Sequence, residues 1–215
     1  MVVGYISRGM APVQLVYEAM EQAQAGHNLF YPICGKKLID AKNEAVNKAL
    51  EENQALLLIE DDIRVPIDLW HKIQWDGING DGTATIQFAE AVERYGTINV
   101  RYNKHTGDLL WTGNVFTKIP LTILQRLPKP VFQSWNFVLS ADGSEVIDRG
   151  RSASGHHSDA FFWQTVQKLD PKAEIVNIGR VEHIITPFNN GKVTEHQNPY
   201  HIKAFPYTGA KKKAG

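Results

Sequence analysis

The chain has 215 residues, with 23 Lys plus Arg against 23 Asp plus Glu, 43% hydrophobic and 21% charged residues. That composition supports one folded domain with a full apolar core and excludes disordered and fibrous classes. The balanced charge supplies no bulk field for nucleic acid or membrane, and Cys34, the single cysteine, excludes an intramolecular disulfide and a cysteine-rich zinc site.

The start, MVVGYISRGM, lacks a basic segment followed by a long apolar run, and no stretch reaches the length of a membrane span. A cytoplasmic protein without stable membrane insertion is expected. Val2 to Ile6, rich in β-branched residues, predicts a buried strand ended by Ser7-Arg8-Gly9. Pro12 suits a helix first turn, with Val13, Val16, Tyr17 and Met20 on one face and Gly26 as the stop. A strand over Leu29 to Ile33 follows, then a polar loop through Asp40 and a helix burying Ala45, Val46, Ala49 and Leu50.

Ala55 to Ile59 is a continuous apolar run, too short for a helix, and reads as a central strand. Strand and helix in alternation predict an α/β fold with a mostly parallel central sheet flanked by helices. Pro66 opens a short helix carrying Leu69, Trp70 and Ile73. Strands are expected at Thr83 to Phe88, Asn99 to Tyr102 and Leu109 to Phe116, the last two pairing around His105-Thr106-Gly107-Asp108. Pro120 to Leu127 reads as a helix and 140–157 as a long loop. Ser158 is expected to cap a helix burying Phe161, Phe162, Val166 and Leu169, and Glu174 to Ile178 is the last strand. Residues 1–186 form one expected domain; 187–215 form an extension ending in the basic run Lys211-Lys212-Lys213, a solvated tail.

The sharpest chemical feature is Glu60-Asp61-Asp62, directly after the apolar strand. Three consecutive acids repel one another, and ligands of open parallel sheets bind at the carboxyl ends of strands. A divalent cation, Mn²⁺ or Mg²⁺, answers that repulsion with the oxygen donors it prefers. The alternative is a solvated turn whose acids cap the next segment.

Glu60-Asp61-Asp62 followed by Pro66 resembles the DxD motif of GT-A glycosyltransferases of the family-2-like type. The resemblance implies a single GT-A domain (Rossmann-like, the nucleotide-diphospho-sugar transferase fold) in which Asp62 ligates the metal. Glu60, at a position usually Asp, would contact donor ribose or metal-bound water, with Asp61 beside it in the donor site.

Further landmarks follow in the family's order. Ile39-Asp40-Ala41-Lys42-Asn43 resembles a segment that often ends Ala-Arg-Asn and faces the nucleotide, making Asp40, Lys42 and Asn43 donor-site candidates. Asp40 also reads simply as an acid favourable to a helix N-terminus. Ser7 and Arg8 match the start of the nucleotide pocket, and Leu110-Trp111-Thr112-Gly113-Asn114 the acceptor-side strand, where Gly113 allows close approach to the donor sugar. Gly155-His156-His157-Ser158-Asp159 is similar to the Glu-Asp element, with Asp159 at the general base position. The local alternative is that Ser158 and Asp159 only cap the helix. His183, in Val181-Glu182-His183-Ile184, is the implied second metal ligand, with His156, His157, His196 and His201 competing.

The implied function is metal-dependent transfer of a sugar from a nucleotide-sugar donor, expected to be a UDP-sugar, to a hydroxyl acceptor. Carbohydrate, lipid, protein and a hydroxylated DNA base all stand open as acceptor, and balanced charge argues mildly against DNA. Rival readings are a nucleotidyltransferase making nucleotide sugars, for which Gly9-Met10-Ala11-Pro12 is a poor loop, a metal-dependent phosphohydrolase, and a non-catalytic nucleotide-sugar-binding protein.

Overall fold

A computed structural model describes residues 1–7, 12–73, 84–92, 100–142, 144–150, 157–171 and 173–183. Arg8, His156, His196, His201, the boundary at 186 and the tail with Lys211-Lys212-Lys213 lie outside the described residues.

In chain order the elements are β1 (Val2–Ser7), α1 (Val13–Ala25), β2 (Leu29–Cys34), α2 (Leu38–Glu51), β3 (Leu56–Glu60), β4 (Ile63–Arg64) and α3 (Ile67–Lys72). Then come β5 (Thr85–Val92), β6 (Val100–Tyr102), β7 (Leu109–Thr112), β8 (Phe116–Ile119) and α4 (Leu121–Arg126). The chain continues through β9 (Phe137–Leu139), β10 (Val146–Asp148), α5 (Ser158–Leu169) and β11 (Glu174–His183).

Seven strands form one sheet in the order β2-β1-β3-β8-β5-β11-β4, and β6–β7 and β9–β10 are separate two-stranded pairs. The sheet is mixed, which corrects the expectation of a mostly parallel one. β8 runs antiparallel to both β3 and β5, and β4 antiparallel to β11, while β1 pairs in parallel with β2 and β3 and β5 with β11. Gly113 and Asn114 break the expected single strand over 109–116, so that Phe116–Ile119 enters the main sheet on its own.

β3, apolar up to Glu60, is buried along its length because α2 and α1 cover opposite faces of the sheet's parallel half, as its unalternating pattern requires. One core gathers α2, α4 and α5 with Phe88, Phe132 and Trp163; the other joins α1 and α3 around Tyr5, Trp70 and Phe116. Three local expectations need correction. α1 buries Leu15, Ala19 and Ala23, a narrow stripe of mostly small residues, and leaves Val13 and Tyr17 outside. Segment 140–157 contains β10, whose short alternation hid it among polar residues. His157, not Ser158, is the N-cap of α5, without a side-chain cap bond; Ser158 is already helical, and Leu169 is exposed where Trp163 is buried. No helix among the described residues is long and apolar enough to cross a membrane.

Candidate active site

The acids emerge where β3 ends. Glu60 still belongs to the strand, in register with Ile6 of β1, and its amide donates to the Val115 carbonyl at 3.0 Å. Asp61 and Asp62 form the turn into β4. β4 pairs with the end of β11 so that Ile63 lies opposite His183, and this register brings the imidazole to Asp62. His183 Nε2 lies 3.1 Å from Asp62 Oδ2. On the β1 side, Ser7 Oγ donates to Asp61 Oδ2 at 2.8 Å.

Lys42 enters from α2. It shares the helix's buried face with Ala41, Ala45, Val46 and Ala49, and its side chain is fully buried. The ammonium lies 2.9 Å from Glu60 Oε1 and 2.6 Å from Asp159 Oδ1. Burial opposes its charge, but Asp159 and Glu60 outweigh that and hold its pKa above the ordinary lysine value. Glu60 is pushed above the usual carboxylate range, first by burial and then by Asp62 and Asp159, against the pull of Lys42.

Asp159 stands in the first turn of α5, where the helix dipole favours an anion. α5 is held on β7 by side chains donating to strand carbonyls: Trp163 Nε1 to Thr112 at 2.7 Å and Gln164 Nε2 to Leu110 at 3.0 Å. Just past β7, Asn114 Nδ2 donates to Asp159 Oδ1 at 3.1 Å. The preceding His157 is exposed, with its ring centroid 4.8 Å from that of half-buried Phe137, which in turn contacts Trp135 and Trp111.

Ser7 with Asp61, His183 with Asp62, and Lys42 with Glu60 and Asp159 thus meet along the consecutive acids 60–62, although they come from six separate elements and turns. Gly113 is buried next to Asn114. Asp40 and Asn43 look elsewhere: they line a groove of about 640 Å³ between α2 and residues 130–134, with Lys36, Gln133 and Ser134. The Asn43 amide pins that segment, donating to the Phe132 carbonyl at 2.8 Å and accepting from its N–H at 2.9 Å. Asn114 is the member that residue-by-residue reading left without a role; its place after Gly113, just past the strand on which α5 packs, was the available signal. Among the described residues no three His, Cys, Asp or Glu side chains are grouped as a metal cage.

Fold and site together define a mixed α/β protein with an acidic cluster at the carboxyl edge of its sheet. No family model and no curated protein matches the chain. Among solved structures, A197 from STIV resembles it with a TM-score of 0.52 at 12% identity, covering 85% of this chain and 84% of A197. That is a likeness of fold. A glycosyltransferase involved in the glycosylation of the major capsid of PBCV-1 overlaps with a TM-score of 0.36 at 11% identity, over 58% of this chain and 62% of its own.

Proposed function

We propose that this chain is a metal-dependent GT-A-type glycosyltransferase, taking a sugar from a nucleoside-diphosphate donor, a UDP-sugar first among them, to a hydroxyl acceptor. The observation that carries the reading is the convergence of the Glu60-Asp61-Asp62 turn with His183 and with Asp159 across the buried Lys42.

The donor set fits a cation that a substrate helps to hold. Asp62 and His183 face each other at 3.1 Å, and this carboxylate and imidazole would hold a cation such as Mn²⁺, which takes mixed oxygen and nitrogen donors. When bound, the metal supplies charge stabilisation for the departing diphosphate. Glu60 and Asp61 border the donor beside it, and Ser7 orients Asp61. Asp159 takes the acceptor hydroxyl proton as the acceptor oxygen bonds to the anomeric carbon and the bond from that carbon to the diphosphate oxygen breaks. The exposed His157 ring against half-buried Phe137 gives the acceptor side a flat surface, and the balanced charge favours a carbohydrate acceptor over a hydroxylated DNA base, whose backbone calls for basic residues.

The test is release of nucleoside diphosphate and donor binding across a panel of nucleotide sugars, with Mn²⁺, Mg²⁺ or chelator, for wild type and Asp62→Ala. Metal-dependent turnover of one donor, lost in Asp62→Ala, is expected. Binding without turnover would favour a non-catalytic binding protein, and no binding with any metal would end the glycosyltransferase reading.

A further inference from the structure

We infer that Lys42 and Asn114 are positioning residues for Asp159: both donate to its Oδ1, leaving Oδ2 as the oxygen that receives the acceptor proton. The inference rests on the reading of Asp159 as the base. Resemblance implied a donor contact for Lys42, but a side chain with none of its surface exposed, held at 2.6 Å by one carboxylate and 2.9 Å by another, is not presented to a ligand. Asn114 is equally buried, and its Nδ2 reaches the same oxygen at 3.1 Å. Among the described residues nothing donates to Asp159 Oδ2, while the side chain keeps 19% of its surface.

Two donors from different elements on one oxygen fix the plane of a carboxylate that otherwise rotates. Such alignment matters because small misplacements of a reacting group cost large factors in rate. Lys42 adds a second effect. Because Glu60 shares the same ammonium, Lys42 ties the base to the acidic turn.

The experiment compares wild type, Lys42→Met, Lys42→Arg and Asn114→Ala, each checked for folding by circular dichroism. Donor affinity, kcat and KM are measured. Lys42→Met and Asn114→Ala should both lose kcat by roughly tenfold or more, with donor affinity within about twofold of wild type. Lys42→Arg, which keeps a cationic donor beside Asp159, should retain more of the wild-type kcat than Lys42→Met. If Lys42→Met does not fold, Asn114→Ala and Lys42→Arg carry the test. Loss of donor affinity with kcat unchanged would make Lys42 a donor contact and overturn the inference while leaving the enzyme reading intact. A wild type that turns over no donor would overturn both.

Discussion

At Gly4 the sheet approaches α2 closely. A methyl group there would sit 2.9 Å from the Ala45 Cβ and 3.3 Å from Leu56 Cδ1, between a strand and a helix that are both fully packed. Gly4→Ala is expected to cost about 1–3 kcal/mol of stability, as overpacking does, and Ala45→Gly in the same chain should recover part of it; urea unfolding reads both. A second residue-scale expectation concerns Tyr102. Burial, then its hydrogen bond to Glu90 at 2.7 Å, raise its phenol to about 12. Since the folded pKa lies above the unfolded value near 10, its contribution to stability is complete below pH 10 and is lost as pH rises through 12. Absorbance titration of tyrosinate should show a transition near pH 12 that disappears in Tyr102→Phe.

At the scale of elements, the position of His183 depends on β11 keeping its register. The strand shifts register between Asn177 and Gly179 as it pairs with β5, and Gly179 has φ of 146°, which L side chains rarely adopt. A Cβ there would also meet Leu69 Cδ2 of α3 at 2.6 Å. Gly179→Ala should therefore cost about 1–3 kcal/mol by backbone strain. If His183 holds the metal, the variant should also bind Mn²⁺ more weakly, because the shift lies upstream of the pairing that sets Ile63 opposite His183. Calorimetric Mn²⁺ titration with donor present, alongside thermal unfolding, separates the two effects. Normal Mn²⁺ affinity in a destabilised variant would detach the metal from this strand.

For the whole molecule, the parallel half of the sheet sets the direction of the site. β1, β2 and β3 end together, so Ser7, Cys34 and Glu60 lie along one edge, with Ser7 opposite Cys34 and Ile6 opposite Glu60 in register. Carboxyl edges of this kind receive ligands in open α/β sheets. Cys34 is exposed there. A donor nucleotide lying across these strand ends should slow alkylation of Cys34, measured by mass spectrometry with and without saturating donor and Mn²⁺. Unchanged alkylation in the presence of a donor that demonstrably binds would move the nucleotide to another edge.

What the sequence determined by itself was whatever a run of residues decides locally. The apolar run before Glu60 could only be a buried strand, and the acids after it had to stand at its end. Ala45, Val46 and Ala49 likewise mark the inward face of α2, although only the structure showed Lys42 buried on it. Choices between nearly equal local options needed the tertiary structure. Val13 and Tyr17 fit the helical period as well as Leu15 and Ala19 do, and packing of α1 against β1 and β3 selected the smaller stripe. Strand direction is invisible to periodicity, so the antiparallel entry of β8 between β3 and β5 came only from pairing. The meeting of Asp62 with His183, and of Lys42 and Asn114 with Asp159, depends on register and helix placement over long sequence separations, which no local pattern encodes.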